Sequence, residues 1–208
     1  MPVNPTLGHR QRQAEATKRQ VAEAARAVFA ERGYGATTIK AISEAADIPV
    51  PTIYSAFGSK AKILAKVTDL WMVESRTADL ARASLAEPDP AQQLRLLAEL
   101  NRRQLEAGAD IVAIYQEAAR ADPDMAAVLG KILGAREKEI RKLITSIAHA
   151  LSPGTTIEDA LDTTLVLTLP EAHATLVKDR GWTGDRYETW LGDSLIRLLL
   201  VSDDSRRV

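Results

Sequence analysis

The sequence contains no cysteine, and only 4% of its residues are aromatic. Without cysteine the chain has neither a disulfide framework nor a thiolate site for zinc or an iron–sulfur cluster, which favours a reducing cytoplasm. An apolar leader is missing, and no window approaches the ~18 uninterrupted apolar residues that span a bilayer. We therefore expect a cytoplasmic protein that is neither exported nor inserted in a membrane.

An excess of charge of one sign is also missing, since 27 Lys and Arg face 28 Asp and Glu. The charge is nevertheless unevenly distributed, because residues 1–62 carry a net charge of +4 and the remainder a net charge of −5. With 46% hydrophobic residues among 208, the chain has enough apolar surface to bury a core, which excludes intrinsic disorder. Contact with a polyanion is expected in the basic first part.

Strand signals are absent as well, because no alternating apolar and polar runs lie between turn dipeptides. The sequence therefore predicts an all-α fold. Residues 1–16, with two prolines and a glycine, are predicted to be a flexible basic arm. Such an arm is either a leader without function or a contact to phosphate. Residues 202–208 are predicted to be a tail.

Three short helices follow the arm. The first is predicted to begin at Thr17, which has capping-box spacing to Gln20, and to end at Gly33. Thr38 can cap the second helix. The third is predicted over residues 50–57, with a proline in its first turn, and a glycine at position 58 ends it. Ser59 can cap a longer fourth helix.

Later helices are marked by two pairs of a capping aspartate and a proline, Asp89–Pro90 and Asp122–Pro123. Gly108 is expected to interrupt the helix that follows the first pair. The second pair introduces residues 125–151, predicted as the longest helix. Thr156 can cap a helix to about residue 169, where Pro170 kinks or restarts it, and a final helix is predicted near residues 186–201.

Two short helices joined by a tight turn, inside the net basic region, have the size of a unit whose second helix enters a DNA major groove. This region resembles the TetR family of transcriptional regulators in the order and spacing of its residues. The resemblance rests on FAERGY at residues 29–34, TTI at 37–39, Ile42, Ala45 and TIYSAFGSK at 52–60. It is specific over about residues 17–66 and only architectural afterwards.

The resemblance implies a helix-turn-helix DNA-binding domain at residues 17–62 and an effector-binding and dimerisation domain at residues 63–201. It implies a homodimeric repressor that binds a near-palindromic operator and is released by a small-molecule effector. Two alternatives stay open. One is a helical-bundle carrier or enzyme with an incidental basic region, and the other is a constitutive DNA-binding protein without an effector.

The third helix would present Val50, Pro51, Thr52 and Ser55 to DNA, while Ile53 and Phe57 face its own core. Family members often carry basic residues at positions matching Val50, Ser55 or Ala56, so bidentate readout of guanine is not expected from this helix. The remaining candidate DNA contacts are Thr37, Thr38, Lys40, Tyr54 and Lys60. The resemblance gives Tyr54 a phosphate contact, with a core aromatic as the alternative. A phosphate contact for Lys60 competes with a solvated lysine, and capping is the safer role for Thr38.

Candidate pocket residues are Trp71, Leu97, Asn101, Gln104, Tyr115, Leu129 and Leu133, each of which has core packing as its alternative. Asn101 and Gln104 lie three apart and are neutral, as suits an uncharged or weakly polar ligand, although a solvated face is the other reading. His149 and His173 lack a partner at metal spacing, so neither a metal nor another cofactor is expected.

Candidate dimer contacts are Leu165, Trp190, Leu191, Leu195 and Leu198. The leucines of the final helix form an apolar stripe that a second copy would cover, with intramolecular core as the alternative. Enzyme signatures are missing: there is no Gly-x-Ser-x-Gly and no Walker loop, and Gly33-x-Gly35 lacks a third glycine. The sequence therefore predicts a regulator and not an enzyme.

Overall fold

The computed structural model describes residues 8–201, and within this range it confirms the all-α fold, with one isolated bridge between Leu151 and Leu200. A 3₁₀ turn covers Ala148–Ala150 and a π-helical turn covers Ala174–Asp179. No helix in this range has a stretch long and apolar enough to cross a membrane. The α-helices are α1 (His9–Arg32), α2 (Ile39–Ala46), α3 (Val50–Phe57), α4 (Lys60–Glu74), α5 (Thr77–Ala86), α6 (Pro90–Ala121), α7 (Pro123–Ser146), α8 (Ile157–Leu167), α9 (Pro170–His173) and α10 (Gly184–Leu199).

Helix α1 begins earlier than the sequence predicts. Its N-cap is Gly8, whose N–H donates to the side chain of Gln11, so Thr17 lies inside the helix. Glu15 accepts hydrogen bonds from Lys18 at 3.0 Å and from Lys66 at 3.1 Å. The predicted flexible arm is therefore helical from His9 onwards, and its residues 1–7 lie outside the described range, as does the predicted tail.

Most of the predicted helix ends are confirmed. Gly33 ends α1 with a φ of 79°, and Gly58 ends α3 with a φ of 75°. In these left-handed conformations glycine avoids the strain that a Cβ would add. The Thr156 hydroxyl accepts from the Asp159 N–H at 3.1 Å and caps α8. Both predicted aspartate caps hold, since Asp89 and Asp122 each accept from the N–H two residues ahead.

The chain divides into two compact units, of which the first runs up to Trp71 and also includes Asp110–Leu129. Its apolar core gathers residues from α1 to α4, the second part of α6 and the start of α7. The predicted DNA-binding domain, which ends at residue 62, does not include this segment of α6. The buried residues of this core include Val21, Ala25, Phe29, Ile42, Ile53, Phe57, Ile63, Leu64, Ile111, Ile114, Tyr115 and Met125.

The second unit comprises Met72–Ala109 and the chain from Gly130 onwards. The range of α6 joins two helices across non-helical angles at Gly108, as predicted, and the 24-residue α7 is longer than either of these parts. The break before α5, at Arg76, was not predicted. Buried core residues of this unit include Leu94, Leu97, Ile140, Ile144, Ile147, Leu161, Tyr187, Leu191, Leu195 and Leu199.

Candidate nucleic-acid interface

The turn between α2 and α3 is held by three hydrogen bonds. Asp47 adopts a left-handed conformation (φ 50°, ψ 42°), and its N–H donates to the Ser43 carbonyl. The Ser43 hydroxyl donates to the Ile48 carbonyl at 2.6 Å, and the Gln20 amide of α1 donates to the Ala46 carbonyl at 2.8 Å. These bonds hold the backbone of the turn from residue 46 to residue 48, which leads into α3.

The two faces of α3 differ in exposure and carry no charge. Ile53 and Phe57 are buried in the core of the first unit. Pro51, Thr52 and Ser55 are exposed, Val50 is half-buried, and the Tyr54 side chain is 53% exposed. A helix with this outer face offers hydroxyl groups and apolar surface, which suit base edges and thymine methyl groups.

Helix α2 begins with residues of two kinds. The Thr38 hydroxyl caps the helix by accepting from the Ala41 N–H at 3.1 Å, and Lys40 projects outward with its side chain 81% exposed. Thr37, in contrast, is buried, and its hydroxyl donates to the Gly33 carbonyl at 2.7 Å. Thr37 therefore supports the loop between α1 and α2, and its hydroxyl does not point toward a DNA phosphate in this conformation.

Lys60 also has an internal position. Its ammonium donates to the carbonyl of Tyr34 at 2.6 Å and of Thr37 at 3.0 Å, and it lies 4.3 Å from the centre of the Tyr34 ring. Burial lowers the pKa of Lys60, and the nearby carboxylate of Glu117 opposes that effect. The ammonium that the sequence assigns to a phosphate is thus bound to the loop at residues 33–37.

Glu117 of α6 holds the same loop. Its carboxylate accepts from the Tyr34 N–H at 2.6 Å and from the Gly35 N–H at 3.4 Å. A Cβ added at Gly33 would lie 2.9 Å from a Glu117 oxygen, so glycine allows the carboxylate to approach. Sequence reasoning missed Glu117, because a partner more than eighty residues away leaves no local signal.

A further ion pair joins α1 to the second part of α6. The Arg26 guanidinium donates to both oxygens of Asp110, at 2.6 and 2.7 Å. Burial raises the pKa of Asp110, but the hydrogen bond and charge of Arg26 outweigh it, so the pKa lies below its usual value. The hydroxyl groups of Tyr115 and Thr68 lie 3.0 Å apart, which ties α6 to α4.

The predicted pocket residues are divided between the two units. Tyr115 is buried in the core of the first unit, and Trp71 and Leu129 pack against that core. In the second unit Leu97 is buried, Gln104 is half-buried and Leu133 is exposed. Asn101 is buried, accepts from the Tyr187 hydroxyl at 2.8 Å and donates to the Thr168 carbonyl at 3.1 Å.

The residues predicted to contact a second copy of the chain differ in how exposed they are. Leu191 and Leu195 are fully buried in the core of their own protomer, which corresponds to the intramolecular alternative. Leu165 and Trp190 are half-buried, and Leu198 is 56% exposed. Val166 and Leu169 are exposed as well, so an apolar surface remains on α10 and around the end of α8.

An open groove of about 510 Å³ lies beside Trp190. The Arg186 guanidinium covers the Trp182 ring at 4.0 Å, and the Trp182 and Trp190 rings meet edge to face at 6.1 Å. Asp185 and Thr189 complete the lining. Between residues 8 and 201 no group of three His, Asp or Glu side chains is arranged to hold a metal ion.

Residues 21–67 match the family model described as bacterial regulatory proteins, tetR family. No curated protein matches the chain. Among solved structures, a transcriptional regulator from Saccharomonospora viridis in complex with choline is 18% identical with a TM-score of 0.72, covering 90% of this chain and 100% of that one. NalD of Pseudomonas aeruginosa, the secondary repressor of the MexAB-OprM multidrug efflux pump, is 20% identical (TM-score 0.68; coverage 91% and 98%). The fatty acid degradation regulator FadR of Bacillus halodurans is 21% identical (TM-score 0.70; coverage 86% and 94%). At these identities the structures share the fold with this chain.

Proposed function

Since this chain belongs to the tetR family of bacterial regulatory proteins through residues 21–67, we propose that it is a cytoplasmic, ligand-responsive transcriptional repressor that binds an operator as a homodimer. The observation that carries the proposal is the outer face of α3. This face lies on a bonded helix-turn-helix and exposes Thr52, Ser55 and Tyr54. Two such helices, one from each protomer, fit half-sites about one helical turn apart.

We assign the recognition of bases to the side chains of α3 that are not buried in the core. The Thr52 hydroxyl can donate to or accept from a base edge, and Val50 and Pro51 offer apolar contact to thymine methyl groups. Because α3 has no basic side chain, we expect half-sites in which thymine contacts matter more than guanine contacts. Ser55 adds a second hydroxyl near the sugar-phosphate strand.

Phosphate contacts surround this face. The exposed Tyr54 hydroxyl and the Lys40 ammonium are the contacts that we assign to phosphate oxygens, with Thr38 beside them at the start of α2. Lys60 and Glu117 have a different role. The Lys60 ammonium donates to carbonyl groups of the loop before α2, and the Glu117 carboxylate accepts from N–H groups of the same loop. Rigid presentation of α2 and α3 is what such a pair provides.

The homodimer would use the apolar surface of α8 and α10. These two helices contact one another within the protomer. Val166, Leu169 and Leu198 remain exposed there, with Leu165 and Trp190 half-buried. A two-fold axis through this surface would bring the same apolar patch of both protomers together, so that each contact between two different residues occurs twice.

Effector response is proposed for the second unit. The S. viridis regulator binds choline, and NalD is a repressor of an efflux pump, so this fold accommodates a small molecule and repression in other chains. An effector releases the operator only when it binds the two conformations with different affinity. Operator DNA must then weaken effector binding by the same factor.

The test is selection of duplexes from a random DNA pool by the full-length protein, repeated with Thr52→Ala and Tyr54→Phe. We expect a near-palindromic consensus in which Thr52→Ala relaxes one position of each half-site. Tyr54→Phe should weaken all sequences about equally, because a phosphate contact carries no base information. Thr145→Ala, an exposed threonine of α7, is the matched control and should select the wild-type consensus. Selection of no sequence at low salt would contradict the proposal and favour a carrier.

A further inference from the structure

Arg136 is a partly buried cation of the second unit. It projects from α7, and its Nη2 donates to the Thr168 carbonyl at 2.9 Å and to the Thr168 hydroxyl oxygen at 2.5 Å. Thr168 is the C-cap of α8, so the guanidinium also meets the negative end of that helix. Only one of its three nitrogens is engaged in this way. The other nitrogens have no acceptor among the described residues.

The charge of Arg136 is not neutralised by the protein. Within residues 8–201 no Asp or Glu oxygen lies within 4.0 Å of the guanidinium. Tyr187 is the nearby acidic group, but burial raises its pKa to about 12, so the phenol stays protonated near pH 7 and donates to Asn101. Burial lowers the pKa of Arg136. A partly buried cation with neutral neighbours is a group that a bound anion would stabilise.

His173 of α9 is a second polar group with open hydrogen-bonding capacity. Its side chain lies 4.7 Å from the Tyr187 ring in an edge arrangement, and the residue is only 8% exposed. The Nε2 atom is buried and has no hydrogen-bond partner among residues 8–201. Buried polar atoms in folded proteins nearly always have a partner, so this nitrogen is the kind of atom that a ligand satisfies.

Arg136 and His173 belong to one connected group. His173 contacts Tyr187, Tyr187 donates to Asn101, and Asn101 donates to the same Thr168 carbonyl that accepts from Arg136. Both functional ends of the Asn101 amide are therefore used internally. This residue, predicted to contact a neutral ligand, instead holds the framework between the two unsatisfied groups.

Leu133 shows where an apolar ligand body can lie. It precedes Arg136 by one turn on the same face of α7 and is 52% exposed. Ile140, one turn after Arg136, is buried in the core. On this face of α7, the side chain one turn after Arg136 is therefore buried, and the side chain one turn before it is exposed to solvent.

We propose that the effector of this protein is an organic anion with an apolar body, whose carboxylate binds the Arg136 guanidinium beside His173. The Arg136 nitrogens that Thr168 leaves free donate to the carboxylate, His173 Nε2 is the second polar contact, and the apolar body covers Leu133. The word effector rests on the proposed repressor function. The binding site itself does not.

Isothermal titration of the full-length protein with octanoate and octanamide, and with benzoate and benzamide, tests the charge requirement. The members of each pair have nearly the same shape and differ in charge. We expect at least one carboxylate to bind about tenfold more tightly than its amide, because only the carboxylate pairs with the guanidinium. Equal affinity of acid and amide, or binding of none of the four compounds, would overturn the proposal.

Variants locate the site. Arg136→Gln should weaken the bound carboxylate about tenfold and leave its amide unchanged, and His173→Phe should weaken it less. Lys138→Gln removes a charge of the same sign from an exposed position of α7 and should change neither affinity. If Arg136→Gln unfolds through loss of the α8 contact, Arg136→Lys keeps the charge but lacks the separate nitrogens that bond Thr168 and the carboxylate together, and it should still weaken acid binding. Unchanged acid affinity in His173→Phe and in either folded Arg136 variant would overturn the assignment.

Failure of this inference and failure of the repressor function give different results. If an operator is selected but the affinity for the acid does not depend on Arg136, the repressor function is supported and the anion site is contradicted. If acid binding depends on Arg136 but no operator is selected, the anion site is supported and the repressor function is contradicted.

Discussion

The polar groups around the loop at residues 33–37 in the first unit differ from those around Arg136 in the second unit. In the first unit, Lys60 and Glu117 bond the backbone of one loop, and Arg26 pairs with Asp110. In the second unit, Arg136 has neutral partners only, and the Nε2 of His173 has none in the described chain. The first arrangement fixes a surface that must be rigid. The second leaves hydrogen-bonding capacity for a molecule that comes and goes.

The largest effect is expected where the first unit depends on apolar packing. Phe29→Ala removes a fully buried ring from its core and should lower the free energy of unfolding by about 3–5 kcal/mol. Urea denaturation followed by circular dichroism measures this loss. Thr145→Ala, at an exposed position of the second unit, should change stability by about 0.5 kcal/mol or less. A loss below about 1 kcal/mol for Phe29→Ala would mean that the cavity closes.

Lys60→Met should lower the free energy of unfolding by about 1–3 kcal/mol, because two carbonyl groups lose a charged donor. The salt dependence of operator binding separates the internal role from a phosphate contact. We expect the slope of log affinity against log salt to stay unchanged, whereas loss of a phosphate contact would reduce it by about 0.9. Lys62→Met, two residues away and exposed, is the control for stability.

Asp110→Asn should cost about 1 kcal/mol near pH 7, a modest value because the pair with Arg26 is about one-third exposed. The pKa of Asp110 is lower in the folded than in the unfolded chain, so its contribution is complete above the unfolded value of about 3.9 and disappears as pH falls through the folded value. The difference between wild type and variant should therefore shrink in acid. Asp79→Asn breaks a fully exposed pair with Arg82 and should show no such difference. A difference that persists at the lowest pH would contradict the ion-pair explanation.

The smallest stability effect belongs to Lys40→Gln, at about 0.5 kcal/mol or less, because the side chain is 81% exposed. Its effect should appear in DNA binding as a slope reduced by about 0.9. Lys131→Gln, an exposed lysine of the second unit, should leave both quantities unchanged. If both lysine variants reduce the slope equally, Lys40 makes no phosphate contact that distinguishes it from an exposed lysine of the second unit.

The features that the sequence predicts well are those with a local cause. Thr38, Thr156, Gly33 and Gly58 act on the backbone within a few residues, and both aspartate–proline pairs do the same. The register of α3 also follows from local spacing, with Ile53 and Phe57 inward.

The features that the sequence hides depend on distant partners. The start of α1 is supported by Lys66, the loop at residues 33–37 by Glu117, and the polar group around Asn101 by four other helices or their ends. The leucine stripe of α10 looked uncovered because its partners lie elsewhere in the chain. Periodicity identifies an inward face, but it does not tell whether the same protomer covers that face.

The composition of the first unit sets the order of events during synthesis. Ile111, Ile114, Tyr115 and Met125 belong to its core, although about forty residues of the second unit, Met72–Ala109, are translated before them. A chain that is translated from its N-terminus cannot close this core until residue 129 has emerged. The core that supports α1 to α3 is therefore completed only after about forty residues of the second unit have been made, and a nascent chain stalled before that point lacks part of this core.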